Sequence, residues 1–157
     1  MLSNSKMFNQ NSSKINAPMF IYSILYDKPS KRISGRVSDH PHKLINGIDI
    51  DKEVPTTATK QLMNIKEIQT TSSCQGTNLD LPTFLIFRPN DQSIEYVKQL
   101  ADNLNKQSNV KCGYGVGNNR KYRFGITAKL FYSPETKSEF VKWWNQLPGK
   151  IQNSLPK

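Results

Sequence analysis

The run Leu81-Pro82-Thr83-Phe84-Leu85-Ile86-Phe87-Arg88 most constrains what this chain can fold into. A short, continuous apolar stretch bounded by Pro89-Asn90 reads as a core strand. Such a strand needs helices or further strands to cover it. The chain supplies them. After a cap at Asn90 or Asp91, Ile94, Val97, Ala101 and Leu104 fall at helical spacing. Ser133-Pro134-Glu135 reads as a second helix start, and Phe140, Trp144, Leu147 and Ile151 form its apolar stripe. Pro148-Gly149 is expected to end that helix. Pro55 to Ile65 carries Ala58, Leu62 and Ile65 at helical spacing, with Pro55 suited to a first turn.

Further strands are expected at Pro18 to Tyr26, Glu67 to Thr71, Val110 to Val116 and Tyr122 to Tyr132. Gly117-Asn118-Asn119 joins the last two as a hairpin. The implied fold is α/β or α+β, a single mixed sheet with about three helices packed on it. Residues 1–16, rich in Asn, Ser and Lys, read as a disordered basic and polar arm, and residues 17–157 as a single domain. Asp27 to Asp51 reads as a long loop with a basic cluster (Lys28, Lys31, Arg32, Arg36). A loop of that length is either functional or hides a short element around Lys43 to Ile48.

Charge narrows the partners. Twenty-two Lys and Arg against 12 acidic residues give a net charge of +10, which favours an anionic partner such as RNA or another polyanion. Mean hydropathy is -0.62, so the core is modest and the surface polar. The longest apolar run, Met19 to Leu25, is too short to span a bilayer, and no membrane association is expected. Two cysteines make no disulfide framework, and the first residues lack a secretory pattern. A reducing, cytoplasmic location is the expectation. No metal site is expected either. His40 and His42 flank Pro41, but two histidines need further ligands, and the pair reads as a surface loop feature.

Three segments could carry chemistry. The first is Thr70-Thr71-Ser72-Ser73-Cys74-Gln75-Gly76, small polar residues suited to a tight loop that offers N–H groups and hydroxyls to a ligand. Ser72, Ser73, Cys74 and Gly76 are the candidate ligand-binding residues, with Arg88 as an anion ligand expected nearby. The competing reading is a self-satisfied turn around an inert buried thiol. No histidine lies near Cys74 in sequence, and no general base is evident, so catalytic residues stay unassigned. The second is Gly113-Tyr114-Gly115-Val116-Gly117, which matches no nucleotide-binding spacing and reads as a bend or a covered strand site. Cys112 beside it reads as a small core residue. The third is the basic group Arg120, Lys121, Arg123 and Lys129. Lys121, Arg123 and Lys129 share one strand face and suit phosphate contacts, or form an ordinary solvated face. Trp143 is expected at the rim, where it could stack on a base.

The Thr70–Gly76 stretch, with Val54-Pro55 through Asn64 before it, resembles the tRNA wybutosine-synthesising methyltransferases, the third enzyme of that pathway. These carry a Thr-Thr-Ser-Ser-Cys-Ser-Gly-Arg stretch. The resemblance covers about twenty residues. It departs at Gln75 and Thr77, where the family has Ser and Arg. It implies an α/β fold, S-adenosylmethionine as cofactor, methyl transfer and a tRNA substrate. The loop also resembles those of small viral and mobile-element proteins, which implies a non-catalytic accessory protein that binds nucleic acid or a host protein.

Overall fold

The computed structural model describes residues 40–117 and 119–157. The expected arm and the expected strand at Pro18 to Tyr26 lie outside the described residues.

The chain from His40 begins with a hairpin, β1 (His42–Ile45) and β2 (Ile48–Asp51), paired antiparallel. Asn46 and Gly47 both have positive φ, 51° and 82°, as a two-residue type I′ turn requires. The end of the expected long loop is therefore an ordered hairpin. Its Asn-Gly signal stands in the sequence between Ile45 and Ile48.

The rest of the described residues form a four-stranded antiparallel sheet with three helices. In chain order come α1 (Thr56–Met63), β3 (Ile68–Cys74), β4 (Phe84–Pro89), α2 (Ile94–Asn105), β5 (Lys111–Val116), β6 (Tyr122–Thr127) and α3 (Lys137–Ser154). The sheet order is β3-β4-β6-β5. The fold is thus an α+β mixture as expected, with two sheets in place of one. The expected strand ending at Tyr132 stops at Thr127, and the expected strand ending at Thr71 runs on to Cys74.

Register explains the core. Thr70, Phe87, Phe124 and Tyr114 are successive cross-strand partners, and the Phe87 and Phe124 rings stack at 5.2 Å. Ser73, Leu85, Ile126 and Cys112 form the next row on that face. Cys112 is fully buried, in keeping with a core role. Gly113 and Gly125 are partners on the opposite face and are also buried, which fits covered strand positions. A bulge at Thr71 shifts the phase of β3: Thr70 pairs with Phe87 but Ser72 with Ile86.

The helices correct three local expectations. Ser93 caps α2, accepting from the Tyr96 amide, while Asp91 accepts from the Ser93 amide one turn earlier. Ser133 accepts from the Thr136 amide and shapes a turn ahead of α3, which starts at Lys137. Pro148 does not end α3. The helix continues to Ser154 with Leu147, Pro148 and Ile151 buried. Proline removes one backbone bond, and burial beyond it outweighs that loss. The far end is fastened by Asn103, which donates to the Ser154 carbonyl at 2.9 Å.

Trp143 is 5% exposed and donates to the Asn109 carbonyl at 2.8 Å, so it is a core residue and not a stacking platform. Trp144 is fully buried and donates to Thr83 Oγ1 at 3.0 Å. Thr83 in turn donates to the Cys74 carbonyl at 2.6 Å. One hydrogen-bond chain therefore links α3 to the end of β3. Replacing Trp144 with Ala is expected to cost about 3–5 kcal/mol in urea unfolding, since it empties a large buried site and removes the donor to the Thr83 hydroxyl. A loss below 1 kcal/mol would show that the helix is not fixed by this residue.

Candidate functional site

The end of β3 is where chemistry-bearing side chains gather. Asp51 closes the hairpin, and its side chain is completely buried. A buried carboxylate requires partners. Its Oδ2 accepts from the Gln75 amide at 2.8 Å and lies 2.9 Å from His40 Nδ1. Its Oδ1 makes no hydrogen bond among the described residues, and His42 Nε2 stands 3.6 Å from it. Cys74 Sγ is 3.9 Å from His40 Nδ1. The other nitrogen of His40, Nε2, meets Thr77 Oγ1 at 3.2 Å. His42 Nδ1 lies 2.8 Å from Asp49 Oδ2.

The His40–His42 pair is therefore not a plain surface loop feature. His40 is 34 residues from Cys74 in sequence, and the hairpin closes that gap. Sequence reasoning missed it because the Asn46-Gly47 turn went unread.

Cys74 is held as a thiol. Burial first, and then the Asp51 carboxylate, push its pKa up to about 12. Burial raises Cys112 further. A nucleophilic relay would place the thiol and the carboxylate on opposite nitrogens of one imidazole. Here both approach Nδ1 of His40. The geometry is not that of an activated cysteine.

Ser72 and Ser73 are strand residues, not loop residues, paired with Ile86 and Leu85. Ser73 is buried, and the Ser72 hydroxyl is buried with no hydrogen-bond partner among the described residues. The amides that follow are engaged within the protein: Gln75 to Asp51, Gly76 to Cys74 Sγ at 3.3 Å, Thr77 to the Leu81 carbonyl at 2.8 Å. A ligand here would meet side chains and not a cradle of backbone donors. Gly76 has φ +86°, and a Cβ on it would stand 2.6 Å from the Thr83 nitrogen. Its close neighbour is the protein's own backbone. Gly76→Ala is expected to destabilise the fold by roughly 3 kcal/mol, combining left-handed strain with overpacking. A variant that melts with the wild type would mean the turn relaxes freely.

Arg88 is not beside this cluster. The antiparallel register sets Cys74 against Phe84 and Gln69 against Arg88, which puts the arginine about 13 Å along the strand. Its Nη2 donates to Gln69 Oε1 at 3.0 Å. Arg88 instead neighbours Arg123, whose pKa is lowered by burial and then by Arg88 itself. Arg123 opens the same end of β6, next to the turn that carries Arg120 and Lys121. Gly117 makes room for it: a Cβ there would stand 2.7 Å from Arg123 Cδ. Lys129 falls past the other end of β6. The candidate residues thus divide into two groups. Arg88, Arg120, Lys121 and Arg123 gather at one end of the sheet, and Ser72 to Gly76 with Lys129 at the other.

No family model, curated protein or solved structure matches the chain. No helix among the described residues is long and apolar enough to cross a membrane.

Proposed function

We propose that this protein binds RNA, or a similar polyanion, through the end of the sheet that carries Arg88, Arg120, Lys121 and Arg123. The observation that supports this most is the placement of the Arg88 and Arg123 guanidinium groups as neighbours, near enough that each repels the other's charge. Guanidinium groups stay charged at any accessible pH. A phosphate bound between them would offset that repulsion. The exposed Arg120 and Lys121 extend the positive charge along the adjoining turn, and the net charge of +10 adds a general attraction.

The test is binding to a short single-stranded RNA across a salt series. Binding is expected to weaken steeply with salt. Arg88→Gln and Lys121→Gln should each flatten the log–log slope by about 0.7. Lys129→Gln, at the opposite end, should leave the slope unchanged. Equal effects from all three would reduce the interface to overall charge. Salt-independent or absent binding would overturn the reading.

A second reading follows from the resemblance of Thr70–Gly76 to the wybutosine-pathway methyltransferases: S-adenosylmethionine-dependent methylation of tRNA. The Ser72 hydroxyl, buried and without a partner among the described residues, is the feature of this chain that favours a small ligand at that end. The engaged amides of Gln75, Gly76 and Thr77 weigh against a cofactor cradle built from backbone donors. When bound, the cofactor would supply the methyl group, and Ser72 would donate to one of its polar atoms. Calorimetric titration of S-adenosylmethionine should give binding that Ser72→Ala weakens at least tenfold. No heat at millimolar cofactor would remove the methyltransferase reading and leave the RNA-binding one standing.

A further inference from the structure

The cluster at the end of β3 has a geometry that hydrogen bonding alone leaves incomplete. His40 Nδ1 has Asp51 Oδ2 at 2.9 Å and Cys74 Sγ at 3.9 Å. One ring nitrogen holds either one proton or one lone pair. It cannot serve as the bridge of a relay between two groups on its own side. Three different donor atoms, a nitrogen, a carboxylate oxygen and a sulfur, instead lie within 4.8 Å of one another. Tetrahedral ligands of a zinc ion, with bonds of about 2.0–2.3 Å, stand about 3.3–3.6 Å apart. The two separations from His40 Nδ1, 2.9 Å to Asp51 Oδ2 and 3.9 Å to Cys74 Sγ, lie on either side of that range. Side-chain shifts would bring the three donor atoms onto one ion.

The outer contacts have the same character. A metal-bound histidine characteristically has its other nitrogen held by a second partner. His40 Nε2 is held by Thr77 Oγ1 at 3.2 Å, which leaves Nδ1 aimed inward. His42 shows the same pattern, with Nδ1 at Asp49 and Nε2 towards Asp51. The Asp51 carboxylate is fully buried; Oδ2 faces His40 Nδ1, and Oδ1 makes no hydrogen bond among the described residues, with His42 Nε2 3.6 Å away. A cation on this carboxylate would add to the partners that offset its burial.

We propose that His40, Asp51 and Cys74 bind a divalent transition-metal ion of the zinc class, through Nδ1, a carboxylate oxygen and Sγ, the Cys74 thiol releasing its proton to solvent as the ion binds. Sulfur in the set selects against magnesium and calcium, which take oxygen ligands. The site joins three separate stretches: the residue before β1, the end of β2 and the end of β3. An ion there would fasten the hairpin to the main sheet. His42 stands beside the carboxylate as a further nitrogen on the Oδ1 side.

The test uses the full chain, reduced and stripped with chelator, titrated with Co²⁺ as the probe. A cobalt–thiolate charge-transfer band in the near ultraviolet is expected, with visible bands of a low-coordinate site, all abolished by added Zn²⁺. Cys74→Ser should remove the charge-transfer band. Cys112→Ser, whose sulfur sits in the core on the opposite sheet face, should keep it. His40→Gln should weaken Co²⁺ binding at least tenfold while far-ultraviolet circular dichroism stays that of the wild type. If Cys74→Ser fails to fold, the partly exposed His40 decides the matter. Absence of the band at millimolar Co²⁺ would overturn the proposal. So would a band that survives Cys74→Ser, or binding that His40→Gln leaves unchanged.

Discussion

The Asp51 carboxylate is the interaction on which the site depends. Its side chain is fully buried, and the desolvation cost for such an ion is several kcal/mol. The cost is offset locally, by the Gln75 amide and the His40 imidazole. Those contacts join segments that secondary structure leaves separate. The Gln75 amide belongs to the turn after β3, and His40 precedes β1. A neighbouring bond repeats the join: the Glu53 amide donates to Gln75 Oε1 at 3.4 Å. The hairpin contributes few large core residues beyond Ile45 and Ile50. Polar contacts therefore fix its position more than apolar burial does.

The legible parts of the fold were those written in a local apolar pattern. The Phe84–Phe87 strand and the α1, α2 and α3 stripes follow from spacing, because a buried face leaves a periodic mark. The Asn46-Gly47 turn was equally local and was overlooked, which hid the β1–β2 hairpin. Pro148 is a different case. Its local rule, that proline ends a helix, is outweighed by Trp144, Leu147 and Ile151, which bury one continuous stripe on either side of it. The bulge at Thr71 left no mark in composition at all. It decides which of Ser72 and Ser73 meets Ile86.

The site was less legible than the fold, for a physical reason. Cys74 and the small residues before it were visible as a group, but a site is made by what faces them. His40, Asp51 and Cys74 come from three segments, and only pairing and register bring them within reach. Arg88 shows the same dependence with opposite result. It follows Phe87 directly in a strand adjacent to β3, and a parallel pairing would have set it near Cys74. The antiparallel pairing sends it to the far end.

That separation gives the sheet two chemically distinct ends. One end holds Arg88 and Arg123 as neighbours, at a turn where Gly117 clears space for the Arg123 side chain. The other holds a buried carboxylate, two imidazoles and a thiol. β3 and β4, whose register spans both ends, hold them apart at fixed spacing. Because the strands connecting them are buried and hydrogen-bonded on both sides of β4, neither end can relax toward the other without breaking the sheet. The separation of the two groups is therefore a property of the fold itself.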